Sequence, residues 1–166
     1  MTRYVVDTNV PIVANGGADG DDGRRPSAQC QKACILFLTK LLRRHRILLD
    51  QAGAIQEEYR RYLNPRGQPG VGDRFYLEII NSSFERIERI PLPKRADGEY
   101  EHLPQAVIDA GFDKSDRKFA ALACLANAPV ANATDSDWLD HHAILTKNGI
   151  VIEFVCGFCR DAWFDD

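Results

Sequence analysis

The sequence has no long apolar run, and this absence excludes several classes of protein. Its longest apolar stretch covers residues 119–126, whereas a membrane-spanning helix needs about 20 apolar residues. The N-terminal segment, residues 1–7, has no basic region followed by an apolar one, so we expect neither a signal peptide nor membrane association. We therefore expect the chain to act in the cytoplasm.

The chain also lacks an excess of positive charge, which bears on nucleic-acid binding. It has 21 Lys and Arg against 24 Asp and Glu, a net charge of −3. Proteins that bind nucleic acid by charge alone are usually basic, so such a role here would need a metal ion or local basic patches. The cations considered for such patches are Arg43, Arg44, Arg46, Arg60, Arg61, Arg117 and Lys118.

The order of the predicted elements indicates one α/β domain. The length of 166 residues and a hydrophobic fraction of 45% fit a single globular domain. Apolar runs predict strands at residues 4–6, 47–49, 86–91, 129–133 and 150–155. Helical patterns are predicted at residues 27–45, 52–63, 103–110 and 115–127, after Asp73 and around Trp138. Strands that alternate with helices in this way favour a parallel sheet covered on both faces.

Two segments stand apart from this pattern. Residues 14–26 are rich in Gly and Asp, which predicts a long mobile loop. Residues 156–166 form a C-terminal tail to which we assign no role. We therefore expect a domain over residues 1–155 with a loop insertion at 14–26, followed by the tail.

Acidic side chains follow the predicted strands at the point where each strand ends. Asp7 comes directly after the first strand, and Asp135 and Asp137 follow the strand at 129–133. In an open parallel sheet the carboxyl ends of the strands meet at one edge, where ligands bind. Helices can bring further acidic groups to this edge, and these are Glu57, Glu58, Asp113 and Asp116.

Carboxylates that converge repel one another and raise each other's pKa. A divalent cation removes this conflict, and an all-oxygen ligand set favours Mg²⁺ or Mn²⁺ over Zn²⁺.

Each residue alone also has an ordinary structural explanation, because Asp113 and Asp137 are natural helix N-caps. Glu57 with Arg60 or Arg61 is typical of a solvated surface pair. The evidence for a metal site is therefore the combination of these acidic residues and their order along the chain.

Four segments, taken in chain order, resemble the acidic motifs of the PIN-domain family of metal-dependent ribonucleases. Asp7-Thr8-Asn9 resembles the first motif, and IQEEYRRYL (55–63) resembles the second, a glutamate on a helix just before an aromatic residue. DKSDRKFAALA (113–123) resembles the third motif and ATDSDW (133–138) the fourth. The resemblance covers about residues 3–155. The ligands that it implies are Asp7, Glu58, Asp116 and Asp135, with Glu57 as the alternative to Glu58 and Asp137 as a neighbour.

The resemblance implies an α/β three-layer sandwich with a central, mostly parallel five-stranded sheet flanked by helices. It also implies an endoribonuclease that hydrolyses RNA phosphodiester bonds with Mg²⁺ or Mn²⁺. Asp7 and Asp135 would anchor the main ion, while Asp116 and Glu58 would complete its shell, hold a second ion or orient the water. The residues assigned to substrate binding are Thr8, Asn9, Thr134, Arg60 and Arg61.

The resemblance also bears on partners. Many small PIN-domain proteins are toxins of toxin–antitoxin pairs, and others process RNA or act in defence. The implied partners are therefore an RNA substrate, an antitoxin protein and a second copy of the chain. This sequence departs from the family in its longer loop at 14–26, in Thr134, where Gly or Asn is frequent, and in the tail at 156–166.

Two other functions fit part of the pattern. A haloacid-dehalogenase-like phosphohydrolase also begins with an apolar strand and an aspartate, here Asp7, that acts as the nucleophile. Such an enzyme usually needs a second aspartate two residues later, where this chain has Asn9. A non-catalytic binding module that keeps the PIN fold is the other alternative, although all four acidic motifs are present.

The five cysteines of the chain are an odd number, and without an export signal we expect reduced thiols. Cys156 and Cys159 form a CxxC, and Cys30 and Cys34 form a CxxxC. A structural Zn²⁺ site would require these two pairs to meet. Because Cys30 and Cys34 lie on the apolar face of the helix predicted at 27–45, we expect both in the core.

Overall fold

The computed structural model describes residues 1–17, 23–66, 70–81 and 85–165 of the chain. The strands in these ranges are β1 (Arg3–Val6), β2 (Arg46–Asp50), β3 (Ile87–Ile90), β4 (Val130–Asn132) and β5 (Ile152–Phe154). They form a five-stranded sheet in the order β3-β2-β1-β4-β5, and every neighbouring pair is parallel. The predicted fold class, a parallel five-stranded sheet flanked by helices, is confirmed.

The three central strands are covered on both faces, which explains their continuous apolar sequence. Val5, Val6, Leu48, Leu49 and Val130 are fully buried. Parallel strands carry such apolar runs because crossover helices cover both faces of the sheet. The core of the molecule therefore lies on either side of β1 and its two neighbours.

Helices connect the strands and pack on the sheet. They are α1 (Asn9–Ala14), α2 (Ala28–Arg44), α3 (Ala54–Tyr62), α4 (Val71–Asn81), α5 (Gln105–Asp109), α6 (Arg117–Ala126), α7 (Ser136–Asp140) and α8 (His142–Lys147). Contacts join α1, α2 and α4, and a second set joins α5 and α7 to α8. Right-handed crossovers place these two sets on opposite faces of the sheet. Helix α6 packs on β1, β2 and β4.

Local signals in the sequence explain the bounds of several helices. Ser27 is the N-cap of α2, and its hydroxyl accepts a hydrogen bond from the Cys30 N–H at 3.1 Å. Gly111 follows α5 with φ of +82°, a backbone conformation that favours glycine. Tyr62, the last residue of α3, is 64% exposed, whereas Leu63 directly after it is buried.

Helix α1 was not predicted, since it is short and contains Pro11. It begins two residues after Asp7 and ends at Ala14, the first residue of the loop expected at 14–26. Within that loop, residues 18–22 lie outside the described residues. Its last residue, Pro26, forms an antiparallel bridge with Phe164.

The C-terminal segment packs on the beginning of α2. Trp163 is fully buried, and its indole N–H donates to the Gly157 carbonyl at 2.9 Å. Cys156 forms a disulfide with Cys30 across a sequence separation of 126 residues. The expectation of fully reduced thiols is therefore wrong for these two cysteines, because the fold brings together residues whose proximity the sequence does not reveal.

The division of the chain into a domain over 1–155 and a separate tail stays a prediction. The described ranges contain no helix long and apolar enough to cross a membrane.

Candidate metal centre

Three carboxylates from three separate elements converge at the carboxyl edge of the sheet. Asp7 follows β1, Asp116 lies at the N-terminus of α6, and Asp135 follows β4. One oxygen atom from each carboxylate lies within 4.8 Å of the other two. Asp7 is 4% exposed and Asp116 is 7% exposed, so the cluster is largely removed from solvent.

The register of the central strands explains why Asp7 and Asp135 meet. Strand β1 pairs with β4 so that Val5 faces Val130, and the Asp7 N–H donates to the Ala131 carbonyl at 3.0 Å. Both strands therefore end side by side. β1 is the central strand. Helix α6, which begins at Asp116, packs on it.

Hydrogen bonds on both oxygens fix the carboxylate of Asp7. Its Oδ1 accepts from the Asn9 N–H at 3.0 Å and from Asn9 Nδ2 at 2.8 Å, and its Oδ2 accepts from Trp138 Nε1 at 2.7 Å. Asn9 is itself held, since its Nδ2 donates to Asn132 Oδ1 at 2.7 Å and its Oδ1 accepts from the Ala133 N–H at 2.7 Å. The side chain of Asp7 is therefore oriented before any ligand binds.

Two of these supporting residues were not expected at the site. Asn132 is the last residue of β4 and is fully buried, so its position at a strand end was a usable signal. Trp138 is also fully buried, but nothing in the sequence indicates that its indole N–H reaches across the sheet edge to Asp7.

The electrostatics of the cluster are unfavourable without a cation. Burial raises the pKa of Asp116 well above its ordinary value, and the neighbouring Asp7 and Asp135 raise it further. Burial also raises the pKa of Asp135, although a hydrogen bond from the Asp137 N–H opposes this shift. A divalent cation bound among the oxygens relieves the repulsion. The all-oxygen donor set fits Mg²⁺ or Mn²⁺.

Glu58 contacts Thr8, the residue that follows Asp7, and Lys118 on α6. Thr8 Oγ1 donates to Glu58 Oε1 at 2.6 Å, and the ammonium group of Lys118 pairs with Glu58 Oε2. The side chains of Lys118 and Glu58 are only 12% and 20% exposed. The sequence indicates Lys118 only as a basic-patch residue, because its contact with Glu58 depends on the packing of α3 against α6. The structure therefore adds one positive charge at the edge of an acidic site.

Glu57 points away from the cluster. Its side chain accepts two hydrogen bonds from Arg60, at 2.8 Å and 2.6 Å, and Arg60 is the main cause of the lowered pKa of Glu57. The pair is exposed on α3. This is the solvated surface arrangement that the spacing of the two residues also fits.

Asp137 contacts the residues around Asp135. Its Oδ2 accepts from the Asp113 N–H at 2.8 Å, and its Oδ1 lies 2.9 Å from His141 Nδ1. The Asp137 N–H donates to Asp135 Oδ1 at 2.9 Å. Asp113 in turn accepts from Ser115. Asp137 is thus built into the turn that carries Asp135, and Thr134 is buried in the same turn.

The candidate cations fall in different places. Arg46 begins β2 opposite Arg3, at the edge of the sheet remote from the carboxylates. Arg117 pairs with Glu99 at 2.6 Å. Arg61 lies on α3 and lines a surface cleft of about 480 Å³ together with Arg60, Tyr62, Arg66, Tyr76 and Ile80.

No protein-family model matches the chain, and no curated protein matches it. Among solved structures, the chain is similar to the crystal structure of VapBC2 from Rickettsia felis bound to a DNA fragment from their promoter. The two chains are 15% identical, the match covers 92% of this chain and 98% of that chain, and the TM-score is 0.49. The fold described above follows from the sheet order and the strand directions themselves.

Proposed function

We propose that the chain is a metal-dependent endoribonuclease that hydrolyses RNA phosphodiester bonds with Mg²⁺ or Mn²⁺. The observation that carries this proposal is the convergence of Asp7, Asp116 and Asp135, the first two buried and the third half-buried, at the carboxyl ends of β1 and β4. Such a set of carboxylates destabilises the metal-free protein, which a structural role alone does not explain.

In this proposal the three aspartates hold the ion, and Glu58 acts at the edge of the site. The ion supplies charge neutralisation at the phosphodiester and lowers the pKa of a bound water. Asn9 and Trp138 keep the carboxylate of Asp7 in its ligand orientation through the hydrogen bonds on its two oxygens. Asp137 does the same for Asp135 through its N–H.

Glu58, Thr8 and Lys118 form the remaining group of the proposed machinery. Thr8 and Lys118 hold one oxygen each of the Glu58 carboxylate, so its position next to the cluster is set from two sides. Glu58 is not one of the three converging carboxylates, and in this proposal it would complete the ligand shell or orient the attacking water. Lys118 offsets part of the negative charge that an RNA phosphate meets on entering an acidic site.

Arg61 and the cleft that it lines are proposed to contact the RNA strand beyond the scissile phosphate. The cleft also contains Arg60 and Arg66 as further cations and the exposed ring of Tyr62. Cations bind the phosphate backbone and aromatic rings stack on bases. Thr8, Asn9 and Thr134 belong to the site itself in this proposal, and Arg60 supports the cleft from its pair with Glu57.

The phosphohydrolase alternative gains no support from the contacts of Asn9. A nucleophilic Asp7 would need an acid–base group at position 9, and the amide of Asn9 is fully used in holding Asp7, Asn132 and Ala133. The partners proposed for the ribonuclease are those that the PIN-domain resemblance implies, namely an antitoxin protein and a second copy of the chain, and its proposed location is the cytoplasm.

The test is cleavage of labelled single-stranded RNA by the purified protein with Mg²⁺, with Mn²⁺ and with a chelator. Asp116→Asn removes one ligand charge from the centre and keeps the size of the side chain. Asp109→Asn, an exposed aspartate on α5, is the matched control. We expect metal-dependent cleavage in the wild type and in Asp109→Asn, and loss of cleavage in Asp116→Asn.

Metal binding measured by calorimetry distinguishes the alternatives. Metal binding without cleavage of any RNA supplied would favour a binding module, and release of phosphate from a generic phosphomonoester would favour the phosphohydrolase. Wild-type protein that binds neither Mg²⁺ nor Mn²⁺ would refute the proposed centre.

A further inference from the structure

Three cysteine sulfurs meet beside α2, in a group separate from the three carboxylates. Cys30 and Cys34 lie one helical turn apart on α2 and are buried. Cys156 follows β5, and its Cα lies 4.9 Å from that of Cys30, to which it is disulfide-bonded. The three Sγ atoms all lie within 4.8 Å of one another. A CxxxC on a helix and a CxxC after a strand are thus brought together by the fold.

The separations among these sulfurs fit a thiolate-bound metal once the disulfide is reduced. A Zn–S bond is about 2.3 Å, so the sulfurs of a tetrahedral site lie about 3.8 Å apart. Cys34 Sγ lies 3.8 Å from Cys156 Sγ. The Cys30–Cys156 pair is closer because of its covalent bond, and reduction lets these two sulfurs separate to the distance that the metal requires.

Contacts other than the disulfide hold the two segments together. The Ser27 N–H donates to the Trp163 carbonyl at 2.8 Å, and the Ser27 hydroxyl donates to the Ala162 carbonyl at 2.9 Å. Trp163 is fully buried. The C-terminal segment therefore remains beside α2 when the sulfur–sulfur bond is broken, and the sulfurs stay preorganised.

A candidate for the fourth ligand lies in the same segment. Cys159 is exposed and free, and it follows Cys156 at the CxxC spacing that structural zinc sites use. Its sulfur is not among the three that lie within 4.8 Å of one another, so coordination requires the segment at 157–159 to move toward α2. Gly157 between them has φ of +77°, which turns the chain back on itself. Cys124, the remaining cysteine, lies on α6 and does not belong to this group.

We propose that the reduced chain binds one Zn²⁺ ion through Cys30, Cys34 and Cys156, with Cys159 as the fourth ligand. A dithiol or two small thiols supply the two electrons and two protons that convert the disulfide into two thiols, and the reductant becomes a disulfide. Each coordinating cysteine then releases its proton to solvent. The ion ties the C-terminal segment to α2, as the disulfide does in the oxidised chain.

The buried thiol of Cys34 is explained by this proposal. Burial raises the pKa of Cys34 to about 12, so the thiol is neutral and inert without a metal. A coordinating metal removes the proton of a bound thiol. The proposal does not depend on the ribonuclease activity, because its ligands are sulfurs and none of them belongs to the carboxylate group.

The experiment uses the full chain, reduced with a phosphine and then titrated with Zn²⁺ and, separately, with Co²⁺ under nitrogen. We expect one equivalent of zinc to remain after gel filtration. We also expect Co²⁺ to produce a thiolate-to-cobalt charge-transfer absorption, which oxygen ligands at the carboxylate centre do not give. Oxidised protein, in which Cys30 and Cys156 are bonded, should lack this absorption.

Cys34→Ser is the test variant, and Cys124→Ser is the matched control. We expect Cys34→Ser to bind zinc roughly tenfold more weakly or worse and Cys124→Ser to bind as the wild type does. Reduced wild-type protein without the thiolate–cobalt absorption overturns the proposal. This measurement is made on the wild type, so it does not depend on whether a variant folds. A Cys34→Ser variant that keeps the full absorption overturns it as well. An inactive nuclease that shows the absorption leaves the zinc proposal intact.

Discussion

The Cys30–Cys156 disulfide should contribute a large part of the stability of the oxidised chain. The bond closes a loop of 126 residues. In the chain-entropy description a crosslink of this span removes about 5 kcal/mol of conformational freedom from the unfolded state. Measured effects are typically about 2–4 kcal/mol, and domains are stable by only about 5–15 kcal/mol. Losing this bond therefore removes a substantial fraction of the free energy of unfolding.

Cys156→Ser tests this contribution. It removes the Sγ atom that is bonded to Cys30 and lies 3.8 Å from Cys34 Sγ, so neither cysteine can form a disulfide at position 156. Urea unfolding, followed by the fluorescence of the two buried tryptophans with a chelator present, should show a loss of about 2–5 kcal/mol. Cys124→Ser, which leaves the bond intact, is the control.

The reductant supplies a second comparison on the same proteins. Adding the reductant to the wild type should lower its free energy of unfolding by the amount lost in Cys156→Ser. The free energy of unfolding of the variant itself should not change. A free energy of unfolding for Cys156→Ser within about 0.5 kcal/mol of the wild-type value, an amount ordinary for a surface substitution, would show that loop closure contributes little to stability here.

Three further predictions concern the carboxylate centre and its surroundings. Trp138→Phe removes the indole N–H that holds Asp7, so metal affinity measured by calorimetry should fall roughly 10–100-fold, whereas Trp163→Phe at the other buried tryptophan should leave it unchanged. Because the pKa of Asp116 is raised on folding, the folded chain binds protons more tightly than the unfolded chain, and stability in chelator should fall as pH rises above about 4. Asp116→Asn should flatten this dependence in urea unfolding between about pH 5 and 8, and an unchanged slope would contradict it. Arg61→Ala should weaken RNA binding and reduce the salt slope by about 1, and Lys147→Ala on α8 should do neither.

The sequence was sufficient to predict the sheet and the acidic edge. A short apolar run that ends in Asp7 indicates a buried strand with a carboxylate at its end, and the same argument applies to Asp135. The N-cap Ser27 and the glycine at position 111 gave the bounds of two helices. These signals are local, and each depends on residues within a few positions of one another.

The contacts that depend on distant residues could not be predicted. The indole of Trp138 reaches Asp7, Lys118 reaches Glu58, and Cys156 reaches Cys30, and in each case the packing of separate elements decides the neighbour. Helix α1 was missed for another reason, since a short helix that contains proline gives only a weak periodic signal. The assignment of each site residue to a role stays a prediction until the variants are measured.

The positions of the three carboxylates along the chain have a consequence for synthesis. Asp116 and Asp135 follow Asp7 by 109 and 128 residues along the chain, and at rates of about 5–20 residues per second these events are on the order of ten seconds apart. During that interval β1 lacks its partner β4. A nascent or truncated chain that ends before β4 cannot assemble the centre, so the proposed activity should not appear until β4 and the turn that carries Asp135 have been made.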